Sequence, residues 1–554
     1  MKNQVWYYMG QGMDSFGVQD SWVEQELTEP GADEVLVRVD AVAICASDIK
    51  MIRMGNAYPL FKDRDFIKNP AILGHELSLT IMRAGENLKN IWKPGMRVGI
   101  QPDVYKDAIR YCIGVNVAGG MQKYMLLQES VFHSDQGVTI FPVKDTISYA
   151  AIAQLEPNAC VEAIYRPFAR KQFDPDKSLF IYVADEMNRY QLDMDLHHRY
   201  TGICAKQTVR QPIDCDFITA SLQEAKDVFK EGFEDVLILG NPSSDVLEAI
   251  VSHLGADAVF CWLADQGNEQ MISCDIAQIH YSRINFLGTM TKCLSDAFHE
   301  QHLCCDLKPK GSFLIMGGAG AMGRLHTLRA LMKADGPSVV AVTARGRDRL
   351  QVLLDDFSDI ARRYGKRLIG VATEEEHWEA VLRQTAPTGF DDVVISAPGA
   401  DPIEKGLRFM KPSGKLYLFS GTSYGNYTQL PLGAVAAHGA RILASSGSTV
   451  ADECAVLKRV EDKTLNPDRN VVAIAGFQEI KTALAQAAQG KYPGKVILYP
   501  QLDQLPLLTL RELDRLDKKL AAYVAEYGWD RTAEKLMYHA FGLSDQLSEE
   551  QKGE

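Results

Sequence analysis

The hydrophobic and polar positions change their period along the chain, and each change predicts a different kind of element. Up to about residue 166, short alternating runs such as 34–39 (EVLVRV) and 97–100 (RVGI) are separated by Gly and Pro turns. Alternation over four to eight residues is typical of half-buried strands. The sequence therefore predicts a small β-rich domain over residues 1–166.

Beyond this domain the apolar runs become continuous and alternate with helical spacing. Residues 177–183 (KSLFIYV) and 233–239 (FEDVLIL) have the composition of buried strands, and so do the later runs 338–343 (SVVAVT) and 391–396 (DDVVIS). Strands and helices in this order predict an α/β fold with doubly wound parallel sheets.

The two α/β stretches match each other in register, which indicates a tandem duplication. At an offset of 157 residues, similar side chains coincide through two strands. The matched positions are Phe233, Asp235, Val236 and Ile238 with Phe390, Asp392, Val393 and Ile395, and Val259, Phe260 and Trp262 with Leu416, Tyr417 and Phe419. Residues 167–305 are therefore predicted to be an inserted copy of the fold in residues 306–448.

Residues 311–323 (GSFLIMGGAGAMG) pass from an apolar run through closely spaced glycines into a helical pattern. Gly318, Gly320 and Gly323 have the G-x-G-x-x-G spacing. In that motif the first glycine permits the turn, the second lets the backbone approach a pyrophosphate, and the third permits close packing. The helix start at Ala321 and Met322 then faces the anion. A tight turn without a ligand is the alternative, but the βαβ context favours a dinucleotide.

The inserted copy lacks this turn chemistry. Aligning Lys177 with Gly311 places Ala184, Glu186 and Arg189 at the three glycine positions, where side chains would obstruct a pyrophosphate. The inserted copy is thus predicted to bind no dinucleotide. A structural or interface role is favoured, and a lid or a sensor for another ligand is left open.

Residues 306–448, which retain the glycine-rich turn, are called the competent copy. The residues after its second strand bear on the choice between NAD(H) and NADP(H). An NAD-binding fold places an acidic residue there for the ribose 2′-hydroxyl. Here the strand ends in Ala344 and is followed by Arg345 and Arg347, which favours the 2′-phosphate of NADP(H) over NAD(H). In the alternative, the arginines are ordinary surface charges and Asp348 binds the ribose.

Three fragments of the β-rich domain contain candidate metal ligands: Cys45-Ala46-Ser47-Asp48, Gly74-His75-Glu76 and Leu155-Glu156-Pro157. A thiolate, an imidazole and carboxylates together suit zinc. Each residue alone also has an ordinary structural explanation, as core, hydrogen-bonded filler or helix start. Their joint occurrence in this order favours a metal site.

The order C-x-S-D, G-H-E, E-P and then a glycine-rich turn resembles the zinc-dependent medium-chain dehydrogenases and reductases of the alcohol dehydrogenase superfamily. The E-P fragment resembles the sorbitol and threonine dehydrogenase branch, and the C-terminal half is similar to L-sorbose 1-phosphate reductase-like proteins. The resemblance covers roughly residues 1–165 and 306–500. It implies a GroES-like catalytic domain beside the Rossmann domain. The degenerate Rossmann-like insertion between them is inferred from the register match and departs from the family pattern.

The resemblance also implies roles for individual residues. Cys45, His75 and Glu156 would lie in or next to the zinc shell, and Glu76 would be either a ligand or a partner of the ligands. Ser47 would relay the substrate proton, and Asp48 would orient the ligands. One zinc at most is expected, since the region that holds a structural zinc in many relatives contains a single cysteine here.

A loop between the first two metal fragments carries four cations, Arg53, Lys62, Arg64 and Lys68. Cations at this place would suit a phosphorylated or polyhydroxylated substrate, because charge-assisted hydrogen bonds to phosphate are strong. A solvated surface loop is an equally good explanation.

Composition excludes several other classes. The net charge of −13 over 554 residues argues against nucleic acid or anionic membrane as a main partner. The N-terminus lacks the apolar core of a secretory signal, no run is long enough to span a bilayer, and the eleven cysteines are scattered. We therefore expect a cytoplasmic protein without disulfides.

Together these observations predict a zinc-dependent oxidoreductase that transfers a hydride between NADP(H) and a secondary alcohol or ketone of a sugar, polyol or sugar phosphate. The alternatives are a zinc-independent quinone or enone reductase and a non-catalytic nucleotide-responsive binding protein. A homodimer or homotetramer is expected. The predicted domains are residues 1–166, 167–305, 306–448, a return segment 449–500 and a helical extension 501–554.

Overall fold

The chain forms two compact units, which are described separately below. The computed structural model describes residues 1–166, 170–185, 189–205, 215–266 and 270–544. The first unit joins residues 1–159 to 448–554, and the second is residues 160–447. The bounds of the five predicted segments stay predictions, and Glu186 lies outside the described residues. Across the described ranges, no helix is both long and apolar enough to cross a membrane.

The first unit is built on an eight-stranded sheet of mainly antiparallel pairs. Its elements up to residue 165 are β1 Lys2–Val5, β2 Val23–Glu26, β3 Val35–Ala43, α1 Ala46–Met54, β4 Glu76–Ala84, β5 Arg97–Ile100, β6 Asp103–Lys106, β7 Ile109–Cys112, β8 Tyr124–Leu127, α2 Glu129–Phe132, β9 Ile140–Val143, α3 Tyr149–Ala153 and α4 Leu155–Tyr165. The longest pairing joins β3 to β4. The predicted β-rich domain is confirmed.

Strand β3 is buried along its whole length, so its two charged residues need partners inside the protein. Arg38 donates from Nε to Asp40 Oδ1 at 2.7 Å, and the Thr80 hydroxyl donates to Asp40 Oδ2 at 2.6 Å. The polar positions of this strand are therefore satisfied by side chains of the same sheet and, for Arg38, also by the Tyr149 hydroxyl on α3 at 3.1 Å. This explains how an alternating run becomes a central strand.

The C-terminal part of the chain completes the first unit. Its elements are α15 Val450–Glu461, β24 Val471–Gly476, α16 Ile480–Ala488, β25 Lys495–Tyr499, β26 Leu508–Thr509, α17 Lys518–Tyr527 and α18 Arg531–Ala540. Strand β25 pairs with β3, so the return segment extends the sheet of the N-terminal residues. The order of the main sheet is β26-β24-β25-β3-β4-β5-β9, with β8 also paired to β3.

The two final helices pack on this unit through a buried carboxylate. Glu534 on α18 accepts hydrogen bonds from the backbone N–H groups of Tyr149 and Ala150, both at 2.8 Å, and from the Tyr499 hydroxyl at 2.9 Å. It thereby satisfies free donors at the start of α3. The extension is thus part of the first folded unit.

The second unit contains two copies of an α/β fold, each built on a six-stranded parallel sheet. The elements of the first are β10 Ser178–Val183, β11 Tyr200–Ala205, β12 Phe217–Thr219, α5 Leu222–Val228, β13 Phe233–Leu239, α6 Ser244–Val251, β14 Leu254–Leu263, β15 Ile272–Asp275, α7 Ile276–Ser282, β16 Asn285–Thr289, α8 Leu294–Ala297 and α9 Glu300–Leu303. Those of the second are β17 Ser312–Met316, α10 Ala321–Met332, β18 Val339–Ala344, α11 Arg347–Arg363, β19 Arg367–Ala372, α12 Trp378–Thr385, β20 Phe390–Ile395, α13 Ala400–Leu407, β21 Met410–Leu418, β22 Tyr427–Leu430, α14 Leu432–His438 and β23 Arg441–Ala444.

Both sheets have the same strand order, β12-β11-β10-β13-β14-β16 and β19-β18-β17-β20-β21-β23. Reversal of strand order beside the first strand is the doubly wound, Rossmann-like arrangement. The fold class predicted from the sequence is therefore confirmed, including the Rossmann-like insertion.

The register of the strands tests the predicted alignment of the two copies. Leu179 pairs with Asp235 as Phe313 pairs with Asp392, which supports the offset of 157 for β13 and β20. One strand further, Asp235 faces Val259 but Asp392 faces Lys415.

The predicted match of Val259, Phe260 and Trp262 with Leu416, Tyr417 and Phe419 is therefore wrong by one residue. The structural equivalents are Lys415, Leu416 and Leu418, at an offset of 156. Counted between register partners, the chain runs 24 residues from Asp235 to Val259 but 23 residues from Asp392 to Lys415, one residue fewer in the second copy. A shift of one residue moves a strand's side chains to the other face.

Candidate active site

Antiparallel pairing of β3 with β4 brings the first two metal fragments together. Cys45 follows the end of β3, and His75 and Glu76 lie at the start of β4, where Glu76 is the register partner of Ala43. One donor atom each of Cys45, His75 and Glu76 lies within 4.8 Å of the other two. Sulfur, imidazole nitrogen and carboxylate oxygen at this spacing fit a zinc ion.

Asp48 orders the backbone and the ring around this cluster. It is buried in the first turn of α1, where Oδ2 accepts from the Cys45 N–H at 2.9 Å and Oδ1 from the Gly74 N–H at 3.3 Å. The same Oδ1 lies 3.6 Å from His75 Nδ1. A carboxylate at Nδ1 leaves Nε2 for a ligand, and Nε2 lies 3.3 Å from the half-buried Ser47 hydroxyl.

The charges around Cys45, His75 and Glu76 favour the binding of a cation. Burial lowers the pKa of His75, but Cys45 and Asp48 outweigh burial and raise it well above its usual value. An imidazole that attracts a proton so strongly lies in a negative environment. The same environment favours a bound metal ion.

Lys495, which sequence reasoning did not select, lies beside the cluster. Its ammonium group is buried on β25 and donates to both carboxylate oxygens of Glu76, at 2.6 Å to Oε2, and to the Ile44 carbonyl at 3.4 Å. Burial acts to lower the pKa of Lys495, but Glu76 outweighs it and the pKa is raised. Glu76 is thus held by a lysine 419 residues away in sequence.

Two further carboxyl groups approach the same region. Glu156 lies in the first turn of α4, half-buried, and its charge contributes to the raised pKa of Glu76. Glu453 on α15 is buried, and its pKa is raised well above the usual range by burial and by the charge of Glu156. The set whose donor atoms lie within 4.8 Å of one another does not include Glu156.

The cations of the loop between the metal fragments divide into two kinds. Arg64 donates to the backbone carbonyls of Asn69, Pro70 and Val115 at 2.8, 2.8 and 3.0 Å, which makes it a structural residue. Lys68 lies 3.5 Å from Asp65. Arg53 and Lys62 are exposed.

The glycine-rich turn in the second unit has the shape of an anion cradle. A Cβ at Gly318 would lie 2.4 Å from Val342 Cγ1, and one at Gly323 would lie 2.5 Å from the Gly317 carbonyl oxygen. At Gly320, the residue that caps the start of α10, the nearest atom would be 3.8 Å away, so the backbone is open to close approach there. The residues present therefore fit a dinucleotide pyrophosphate.

The turn itself is made by a different glycine from the one predicted. Gly317 has φ +82°, in the left-handed region, whereas Gly318 does not. Gly318 is needed for close packing against Val342. The sequence contains two adjacent glycines here, and the spacing motif alone selected the second.

The arginines after β18 are flanked by acidic residues. Ala344 ends the strand, Arg345 is exposed, and Arg347 at the start of α11 forms an ion pair with Glu375. The Glu374 carboxylate also lies close by, since a Cβ at Gly346 would be 3.1 Å from its Oε1. A 2′-phosphate would have to compete with Glu375 for the Arg347 guanidinium. Arg345, by contrast, is exposed to solvent.

In the inserted copy, the place that corresponds to the glycine-rich turn contains ion pairs between residues of that copy. Arg189, at the position of the third glycine, pairs with Asp185 and, at 2.8 Å, with Asp265, which also pairs with Lys292. These residues follow β10, β14 and β16, at the carboxyl ends where such sheets bind ligands. The charges there neutralise one another inside the copy.

We therefore expect one dinucleotide per chain, although the chain contains two Rossmann-like sheets. In a calorimetric titration Gly323→Ala should weaken NADPH binding at least about tenfold, because the new Cβ meets a backbone oxygen. Arg189→Ala in the inserted copy should leave the stoichiometry at one. A second site in the wild type, or loss of binding in Arg189→Ala, would contradict this.

Comparison with known proteins gives the class to which this fold and site correspond. Residues 31–135 match the alcohol dehydrogenase GroES-like domain. The solved structure of 2R,3R-butanediol dehydrogenase from Bacillus subtilis aligns with 90% of this chain and 99% of its own, at 14% identity and a TM-score of 0.51. At that identity the likeness concerns the fold. The predicted resemblance to the medium-chain dehydrogenases is confirmed.

Two curated relatives show which members of this class the chain is similar to. The chain is 38% identical to sorbitol dehydrogenase of Gallus gallus over 87 residues, which are 16% of this chain and 22% of that protein. It is 28% identical to L-sorbose 1-phosphate reductase of Klebsiella pneumoniae over 240 residues, 42% and 56% of the two chains. The chain thus spans about a fifth of the length of the first curated relatives it matches. The predicted similarity to both branches is confirmed.

Proposed function

We propose that the protein is a zinc-dependent oxidoreductase that transfers a hydride between NADP(H) and a secondary alcohol or ketone of a sugar, polyol or sugar phosphate. The observation that carries the proposal is the cluster of Cys45, His75 and Glu76 in a chain that also has a glycine-rich dinucleotide turn. The similarity to L-sorbose 1-phosphate reductase supports the substrate class. A solved zinc-binding dehydrogenase from Sinorhizobium meliloti 1021 bound to NADP, with a TM-score of 0.50 at 14% identity, has the same fold.

In this proposal Cys45 and His75 hold the zinc ion, and either Glu76, whose donor atom lies within 4.8 Å of theirs, or Glu156 supplies the third protein ligand. Lys495 donates to both carboxylate oxygens of Glu76 and thereby orients it. Zinc, when bound, acts as a Lewis acid toward the substrate oxygen. Asp48 fixes the imidazole ring through Nδ1.

A nicotinamide dinucleotide held at the glycine-rich turn would accept a hydride from the carbon that carries the hydroxyl group, so that the alcohol would become a ketone. The hydroxyl proton passes through the Ser47 hydroxyl toward solvent, and both transfers reverse in reduction. Gly318, Gly320 and Gly323, with the N–H groups of Ala321 and Met322, bind the pyrophosphate. Arg345 and Arg347 bind the 2′-phosphate.

Zinc content of the purified chain tests the proposal directly. We expect about one zinc per chain by mass spectrometry, together with tighter binding of NADPH than of NADH in fluorescence titrations. Freshly prepared protein without zinc would leave the metal-free quinone or enone reductase. Zinc and NADPH binding without turnover of any polyol, sugar or sugar phosphate would leave the nucleotide-responsive binding protein.

The nicotinamide preference gives a separate prediction. Arg345→Ala should raise the NADPH dissociation constant about tenfold and leave that of NADH nearly unchanged, because a charged hydrogen bond contributes about 1.5–3 kcal/mol. Arg363→Ala, an exposed arginine at the other end of α11, is the matched control. Equal weakening of both nucleotides would argue for NAD(H) and a role of Asp348.

A further inference from the structure

The two copies of the second unit pair through strands that lie outside their own sheets. Strand β15 of the inserted copy and β22 of the competent copy form an antiparallel pair with Ser273 opposite Gln429. Each of these strands is followed by a helix, α7 or α14, and then by the last strand of its sheet. The strands β15 and β22 are therefore equivalent elements of the duplicated fold.

The register of the pair obeys a two-fold rule. Around this point the copies are offset by 156 residues, since Asn285 beside Val259 corresponds to Arg441 beside Lys415. At that offset the equivalent of Ser273 is Gln429, its own partner in the pair. Exchanging the copies therefore maps the pairing onto itself, as in an isologous interface between identical subunits.

The contact extends beyond the two strands. The buried Arg441 guanidinium donates to the Phe286 carbonyl at 3.2 Å and to Asn285 Oδ1 at 3.0 Å. Helix α14 packs so closely on β16 that a Cβ at Gly288 would lie 3.1 Å from Ala436 Cβ. Buried hydrophobic residues of both copies belong to one core cluster, so the two copies share a continuous apolar core.

Residues of the inserted copy also form hydrogen bonds with a loop of the competent copy. Asp275 Oδ2 accepts from the Gly425 N–H at 2.8 Å, and the Ile276 N–H donates to the Asn426 carbonyl at 2.9 Å. His280 Nδ1 lies 3.1 Å from the Leu418 carbonyl oxygen at the end of β21. This loop, residues 419–426, follows the carboxyl end of a strand, the edge at which such sheets bind ligands.

We infer that the inserted copy is an internal partner domain: it occupies, within the same chain, the face through which the nucleotide-binding fold would pair with a second copy of itself, and it positions the loop 419–426. This inference does not depend on the metal site or on the proposed substrate. The sequence left several roles open for the insertion, and this inference assigns it the structural or interface role.

Disulfide trapping in the full chain tests the inference. Ser273 is half-buried and Gln429 exposed, so the double variant Ser273→Cys/Gln429→Cys places two cysteines on the outer face of the pair. Mild oxidation should give a disulfide within one chain, seen as a linked peptide by mass spectrometry and as a single-chain band on a non-reducing gel. Wild type, with its exposed Cys304 and Cys454, is the oxidation control.

Disulfide-linked dimers of the double variant would overturn the inference, because β15 of one chain would then pair with β22 of another. Dimers formed by Gln429→Cys alone would also overturn it, since two competent copies would then pair directly.

Hydrogen exchange of the wild-type chain gives an independent measurement if the double variant does not fold. Protection of β15 and β22 should not change over a hundredfold dilution, whereas an interface between chains would lose protection. Asp275→Ala should speed exchange in loop 419–426, and Asp245→Ala, at the start of α6, should not. An unchanged loop in Asp275→Ala would remove the positioning role.

Discussion

Replacement of Cys45 by alanine should remove the zinc ion and lower the turnover of the best polyol or sugar phosphate substrate about a thousandfold. A Lewis acid supplies several kcal/mol to such a reaction, and each 1.4 kcal/mol is about a factor of ten in rate. Cys45 contributes the sulfur donor of a cluster whose ligand atoms lie within 4.8 Å. Zinc per chain by mass spectrometry and steady-state kinetics measure the two effects.

Cys304→Ala is the matched control, since this cysteine is exposed in the second unit and far in sequence from the metal fragments. It should retain zinc and full activity. A Cys45→Ala variant that keeps its circular dichroism spectrum and also keeps one zinc would show that the ion binds elsewhere.

Replacement of Lys495 by methionine should lower the free energy of unfolding by about 3–5 kcal/mol. The substitution leaves the fully buried Glu76 carboxylate without its counter-ion, and a buried charge that loses its partner costs about this much. Urea denaturation followed by tryptophan fluorescence measures the change. The same variant should bind zinc with altered affinity, because Glu76 is then free to move.

Two variants make this prediction specific. Lys2→Met breaks an exposed pair with Glu24 and should change stability by less than about 0.5 kcal/mol. The double variant Lys495→Met/Glu76→Gln removes both charges and should recover part of the loss. If the double variant is no more stable than Lys495→Met, the cost arises from packing and not from the unpaired carboxylate.

The metal cluster was predictable because its ligands belong to short motifs. Cys45, Ser47 and Asp48 lie within four residues, and Asp48 reaches back to the Cys45 N–H by the geometry of a helix start. Lys495 was not predictable in the same way. It opens an apolar strand, and only the pairing of β25 with β3 brings it to Glu76.

In the duplicated fold, too, some features could be predicted from the sequence and others could not. The α/β class follows from apolar periodicity and the offset along β13 follows from similar side chains, and both signals depend on residues that are near one another in sequence. The one-residue difference before β21 and the pairing of β15 with β22 depend on the length of a connection and on contacts between copies. A pattern of similar side chains carries no information on either.

The discontinuity of the first unit has a consequence for biosynthesis. Glu76 leaves the ribosome 419 residues before Lys495, and residues 160–447 are made in between. At the usual elongation rates this interval is on the order of 20 to 80 s. During that time the nascent chain exposes a carboxylate without its counter-ion and a helix start without Glu534. Lys495 can therefore orient Glu76 only after residue 495 has been synthesised.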